Sequence, residues 1–241
     1  MACYHTIKTL TEKVLGQYSM NKNRLFFALL ILLNSSAIFA NTEVAIEKAP
    51  VAVLKSMTYD LIEALKASKV TRKQNPDIIQ QLVTTHVAPR LDFIAASRWV
   101  LGKHWRDADR AQKIRFIKEF RQLLIRFYST ALAEYALTHE INHSIMHFLP
   151  LRKKDDKDVT VHSVVHPPGS NKTVPVNYHM HKTRKGWKIY DVSVEGISMI
   201  TTYKSSFAPQ LRNSGVSGLI KSLVERNQKL STKTVSLNAQ N

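Results

Sequence analysis

Apolar residues recur at helical spacing through residues 49–69, where Leu54, Met57, Leu61, Ile62 and Leu65 follow the i, i+3, i+4, i+7 stripe of an amphipathic helix. Asn75-Pro76-Asp77 reads as a second start signal: a capping side chain, a proline at the first helical position and an acid in the first turn. That helix runs to about His86. A third spans residues 91–101 and stops at Gly102, which can take a left-handed cap. Asp107 or Asp109 opens the longest helix, which reaches about Tyr135. Its stripe is Phe116, Phe120, Leu123, Leu124, Phe127, Tyr128, Ala131, Leu132 and Tyr135, and its outer face carries Arg110, Lys113, Arg115, Lys118, Arg121 and Arg126.

The period then changes from helix to strand. Residues 140–149, 158–166, 173–183 and 187–194 read as four strands. Their connections are short, so an antiparallel meander is expected. Val174, Val176, Tyr178 and Met180 alternate onto one face, with Asn177, His179 and His181 on the other, predicting one greasy and one wet side. Two helices close the chain, at 198–213 and 216–229 with Gly215 between them, and residues 230–241 read as a flexible tail. Helices, one sheet, then helices define a single α+β domain over residues 41–229.

Residues 1–40 read differently. Met20-Asn21-Lys22-Asn23-Arg24 is a short positive stretch, residues 25–33 are an unbroken apolar run, and small residues follow up to Ala40. This is the pattern of a cleavable signal peptide, with translation starting at Met20. The run is shorter than the roughly 18 apolar residues of a membrane span. Cys3, the single cysteine, lies in this part, so the exported chain has no disulfide or thiol chemistry and must be held by its core. With 44% hydrophobic residues it can build one. The formal net charge of +17 points to an anionic partner.

Four chemistries could in principle use these residues. Gly215-Val216-Ser217-Gly218 lacks the spacing of a nucleophile elbow and follows no strand, so it reads as a helix break. His143, His147, His162, His166, His179 and His181 fall in the strand segments, but no metal-ligand spacing accompanies them, and solvated histidines on the wet face are the reading adopted. Asp191 and Glu195 have no acid–base partner of known geometry. No nucleic-acid motif accompanies the basic helix face, and an export signal argues against that use. Nor is there a coiled-coil seam, so a monomer is expected.

Three stretches are more specific. They are Leu91-Asp92-Phe93 with residues 98–106 (RWVLGKHWR), residues 112–135 with the run Phe120-Arg121-Gln122-Leu123-Leu124, and residues 186–192 (GWKIYDV) followed by Glu195-Gly196-Ile197-Ser198. In this order and spacing the chain resembles the MlaC family, also called toluene-tolerance auxiliary proteins, over about residues 50–229. The resemblance implies a periplasmic phospholipid carrier of a Gram-negative cell that maintains outer-membrane lipid asymmetry. Its implied partners are an outer-membrane lipoprotein–porin complex and an inner-membrane ABC transporter bearing an MCE-domain protein. It also implies an NTF2-like cone, here a four-stranded curved antiparallel sheet wrapped by about six helices, with an apolar cavity and no cofactor beyond the bound lipid. The extra residues 1–19 and the many strand histidines depart from the family pattern.

Physics says what such a carrier needs. Exposing lipid tails to water costs about 0.8 kcal/mol per methylene, so two chains would cost on the order of 20 kcal/mol. A pocket as apolar as the bilayer makes transfer nearly neutral, and no catalytic residue is required. Candidate lining residues are Val174, Val176, Tyr178 and Met180, with Val161 and Val165 on the neighbouring strand and Ser163 interrupting them. Ile189, Phe127, Tyr128 and Leu132 join them, and Ile197 and Met199 lie in the segment most like the family. Arg98, Lys103, Arg106, Lys113 and Arg115 are the candidate partner-docking cations. Two rival readings stand beside this one: an NTF2-like enzyme for a small hydrophobic substrate, and a basic periplasmic adaptor without a ligand.

Overall fold

The helical stripes become six α-helices among the described residues, and the alternating segment becomes a five-stranded sheet. A computed structural model describes residues 50–68, 77–151, 157–167, 169 and 172–238, with side chains through 229. Residues 1–40, read above as a signal peptide, Asn75 and Pro76 of the second start signal, residues 152–156 and Pro168, Ser170 and Asn171 lie outside the described residues.

Helix α1 is Pro50–Ala67. Helix α2, Asp77–Leu82, ends early because its next turn widens to a π-type turn at Val83–Val87 and tightens to a 3₁₀ turn at Ala88–Arg90, where Pro89 removes a donor. Helix α3, Phe93–Leu101, is capped by Asp92, whose carboxylate accepts the Ala95 N–H at 2.9 Å. It ends at Gly102, where φ is 55° and ψ −122°, a positive-φ conformation open to glycine but not the left-handed helical cap. A four-residue helix α4, His104–Asp107, intervenes before α5.

Helix α5, Arg110–Thr138, starts with the Asp109–Gln112 capping box, in which each side chain accepts the other residue's backbone N–H. Element α6, Met199–Asn238, is two helical stretches joined at Gly215, whose φ of 62° and ψ of −167° are not helical, so the break falls where the sequence placed it.

The strands are β1 Met146–Phe148, β2 Asp158–Val165, β3 Val174–Thr183, β4 Gly186–Val194 and β5 Ile197–Ser198, in that spatial order and each antiparallel to the next. The sequence reading of four strands thus needs two corrections. The first strand is three residues long because a 3₁₀ turn at His143–Ile145 precedes it, held by Asn142, whose side chain accepts the Ser144 N–H at 3.0 Å. The fifth strand is two residues long, too short to show any periodicity. It forms because Glu195 (φ 51°) and Gly196 (φ 83°) make a two-residue turn with both residues at positive φ, the geometry that matches strand twist.

Two cores result. Phe116, Phe120, Leu123 and Leu124 of α5 pack with Val100 and Leu101 of α3 and with Phe207, Leu211, Leu219 and Leu223 of α6. The aromatic rings interlock edge to face, with Phe116 and Phe207 centroids 6.4 Å apart. The second core lies on one face of the sheet, where Val53, Leu54 and Met57 of α1 pack against Val159, Val161, Met180, Trp187 and Ile189.

Candidate functional site

The register assigns side chains to faces. Along one face, Phe148, Ser163, Val176, Val194 and Ile197 form a row crossing all five strands. Beside it run Met146–Val165–Val174, Val161–Tyr178–Val192 and Val159–Met180–Ile189. The face is therefore apolar from edge to edge. Its one hydroxyl in the middle row, Ser163 Oγ, donates to the Val176 carbonyl at 3.0 Å, so the polar group is satisfied within the sheet and a smooth surface remains. Tyr178 is buried in this face, its hydroxyl 3.5 Å from Met146 sulfur, and burial pushes its ionisation up to about 12.

A bulge keeps β4 apolar on this side. His179 pairs with Asp191 and Met180 with Ile189, which leaves Tyr190 as an extra residue. Trp187 and Ile189 face inward before it, Val192 and Val194 after it, and Tyr190 and Asp191 both turn to the other face. Strict alternation from Ile189 would have put Asp191 and Ser193 inside. Val192 and Val194 were therefore overlooked in the sequence, although the switch of apolar parity along GWKIYDVSV was the signal.

The face is closed unevenly. Val53, Leu54 and Met57 of α1 pack on it, and Thr58 of the same helix reaches Met146 Sδ at 4.0 Å on the β1 side. At the β4–β5 edge Val194 is 45% and Ile197 69% exposed, an apolar rim on the two-residue turn. Of the twelve lining candidates, Val161, Val165, Val174, Val176, Tyr178, Met180 and Ile189 share this face, and Ile197 extends it. The other four lie elsewhere. Met199 packs on the helical core, and Leu132 on the small cluster of Val83, Ala88 and Ile125. Phe127 and Tyr128 are half exposed and meet edge to face, 5.3 Å apart. The Tyr128 hydroxyl is hydrogen-bonded to that of Tyr203. Burial, and then the negative charge of Asp191, hold its ionisation above the ordinary range.

The opposite face is solvated, as expected, at His147 and His166, which are exposed and meet edge to face 5.1 Å apart, but its centre is not. His179 lies between Thr160 Oγ1 (3.1 Å) and Ser193 Oγ (3.2 Å), and His162 Nδ1 meets Asn177 Oδ1 at 2.8 Å. His181 Nε2 meets the Asp92 carboxylate at 2.9 Å. The cap of α3 and the start of α6 sit against this side, so its polar groups are tied to one another. Asp191 is buried there and accepts the N–H of Val192 (2.9 Å) and of Ile200 (3.0 Å) and the Ser198 hydroxyl (2.6 Å). No group of three or more His, Cys, Asp or Glu able to hold a metal occurs among the described residues.

The docking candidates occupy the α3–α4–α5 surface. Arg98, Lys103, Arg106 and Arg115 are exposed, and Lys113 lies over the Trp105 ring at 5.6 Å. None of these cations takes part in the ion pairs Lys66–Glu63, His143–Glu63 or His181–Asp92.

These features define an α+β protein whose open antiparallel sheet carries one continuous apolar face, packed by a helix and exposed at its β4–β5 edge. The chain belongs to the MlaC protein family, whose pattern it matches over residues 55–225. It is 30% identical over 170 residues to the toluene tolerance protein ttg2D of Pseudomonas putida, an alignment covering 70% of this chain and 75% of the relative. It is 24% identical over 200 residues to the intermembrane phospholipid transport system binding protein MlaC of Haemophilus influenzae, covering 81% and 89%. Among solved structures it is similar to the phospholipid-binding protein from Ralstonia solanacearum in complex with a phospholipid. That likeness has a TM-score of 0.65 and 33% identity, over 75% of this chain and 97% of the other.

Proposed function

We propose that this chain is an exported periplasmic phospholipid carrier that holds acyl chains against the apolar face of its sheet. It passes lipid between an outer-membrane lipoprotein–porin complex and an inner-membrane MCE-domain ABC transporter complex, and so maintains outer-membrane lipid asymmetry. It works as a monomer, needs no cofactor and breaks no bond in its cargo. The observation that carries the reading is the middle row of the apolar face, which leaves the buried Val176 and ends on the exposed Val194 and Ile197. Globular domains seldom leave large aliphatic side chains in a line continuous with their core unless something covers them. Membership of the MlaC family and the phospholipid complex of the Ralstonia solanacearum relative support the same reading.

Because the apolar face is exposed at its β4–β5 edge, the acyl chains belong toward Val176, Val192, Val194 and Ile197, with Val165 and Val174 beside them and Phe127 and Tyr128 as candidate wall residues on α5. Arg98, Lys103, Arg106, Lys113 and Arg115 dock the acidic surfaces of the partner complexes. Mass spectrometry of an organic extract of the purified chain tests the cargo. Phospholipid at near one molecule per chain is expected. A polar metabolite, or an empty extract, would sink the proposal.

A further inference from the structure

Away from the sheet, three large apolar side chains stand out from a basic surface. Ile94 is 61%, Trp99 60% and Ile114 59% exposed. Ile94, Arg98 and Trp99 share the outward face of α3, since positions 94, 98 and 99 fall within one 140° arc of a helix. On α5, Ile114, Lys118 and Arg121 follow i, i+4, i+7 and border one shallow groove. Arg121 joins the two helices: its guanidinium lies 5.4 Å over the ring of Phe93, the residue before Ile94. Acids are scarce here. From Arg110 to Arg126 the one carboxylate on α5 is Glu119, which is buried and bonded to Asn227.

We propose that this face seats the protein directly on an anionic phospholipid surface. Protruding Trp and Ile side chains among arginines and lysines are the chemistry of an interfacial anchor: the cations meet headgroup phosphates, and the rings and aliphatic groups enter the headgroup layer. The form of the patch favours a bilayer over a protein. Apolar groups that carry binding energy between proteins sit in fitted, desolvated pockets, whereas these project from two convex helices and need a deformable phase. The inference rests on the carrier reading for its purpose, because a carrier held against a bilayer has a shorter path for its cargo. Its physics depends only on the patch.

The test is co-sedimentation of the full chain with vesicles of phosphatidylcholine containing a quarter phosphatidylglycerol, compared with phosphatidylcholine alone, at low and high salt. Binding to the anionic vesicles only, weakened at high salt, is expected. The Lys118→Glu/Arg121→Glu pair and the Ile94→Ser/Trp99→Ser/Ile114→Ser triple should each lower the vesicle affinity roughly tenfold or more, while the lipid content of the purified protein stays unchanged. All of these side chains are exposed or lie on the groove, so the variants fold, and circular dichroism checks that. No sedimentation with anionic vesicles overturns the proposal, as does full binding by the triple variant, since the attraction is then diffuse charge alone. Loss of cross-linking to an acidic protein by these variants, without any vesicle binding by the parent, assigns the face to a protein and also overturns it. A parent chain that carries lipid but ignores vesicles sinks this inference and spares the carrier, and the reverse result does the opposite.

Discussion

Asp191 accepts a 2.6 Å hydrogen bond from Ser198, seven residues on, across the turn that carries the apolar rim. The Ser198 oxygen in turn accepts the Thr201 N–H at 3.1 Å, while Asp191 Oδ1 takes the Ile200 N–H. A strand carboxylate and a capping serine together satisfy the free donors at the start of α6. The Tyr-Asp-Val and Glu-Gly-x-Ser segments are therefore two halves of one joint. The bulge turns Asp191 off the apolar face, the Glu195-Gly196 turn reverses the chain, and Ser198 returns to meet Asp191.

Breaking this joint has a graded cost. Asp191→Ala strands the buried Ile200 N–H, the part-buried Val192 N–H and the Ser198 hydroxyl, and should destabilise the fold by about 2–4 kcal/mol. Ser198→Ala removes a cap alone, for about 1 kcal/mol. Urea unfolding of both variants measures the difference, and equal stabilities would contradict the assigned roles.

Rim and core substitutions should separate folding from cargo. Ile197→Glu lies in solvent and should change stability by less than about 0.5 kcal/mol, yet it puts a charge where acyl chains are proposed to lie, so copurifying lipid should be lost. Met180→Ala, fully buried beneath α1, should cost about 2–5 kcal/mol. Normal lipid content in folded Ile197→Glu is the result that removes Ile197 from the site.

At Gly196 the turn alone is at stake. A Cβ there would touch nothing within 4 Å, so the cost of Gly196→Ala is purely that of φ 83° for an L-residue, about 1–2 kcal/mol. Thermal unfolding in comparison with Gly196→Asn reads it, because asparagine tolerates this conformation better. If alanine and asparagine behave alike, the turn does not hold the conformation described.

Alkaline stability follows from Tyr178. Burial raises its ionisation from 10 to about 12. The neutral form is thus favoured in the folded state, and the stabilisation is whole below pH 10 and lost as pH rises through 12. Two units correspond to about 3 kcal/mol. Tyr190 and Tyr203, also raised to about 12 by burial first, add to the same slope. The urea midpoint should fall steeply between pH 10 and 12, and Tyr178→Phe should flatten the fall. An unaltered slope in that variant would mean that Tyr178 ionises as freely folded as unfolded.

Helix positions were legible in the chain because they depend on neighbours one turn away. The start at Asp109, one of two openings the pattern allowed, the stop at Gly102 and the stripe from Phe116 to Leu124 are local matters, and the structure places each within that reading. The alternation of Val174, Val176, Tyr178 and Met180 likewise named the apolar face of β3. Less legible was β4, where one extra residue shifts the parity, and the chain alone does not say which residue is extra. The helix stripe also named Phe127, Tyr128 and Leu132 without saying what each faces. Tyr128 turns to Tyr203, and Leu132 to Val83 and Ala88, partners that lie dozens of residues away.

The amino-acid order by itself determined the α+β class, the caps, the basic outer face of α5 and the oily side of the central strands, since propensity, capping and periodicity act over a few residues. Tertiary structure alone decided that Val194 and Ile197 end a row crossing five strands, that α1 packs on the apolar face while its β4–β5 edge stays exposed, and that His162, His179 and His181 of the other face are bonded to Asn177, to Thr160 and Ser193, and to Asp92. Those facts depend on register and on helix placement, which are set by contacts between residues far apart in the chain.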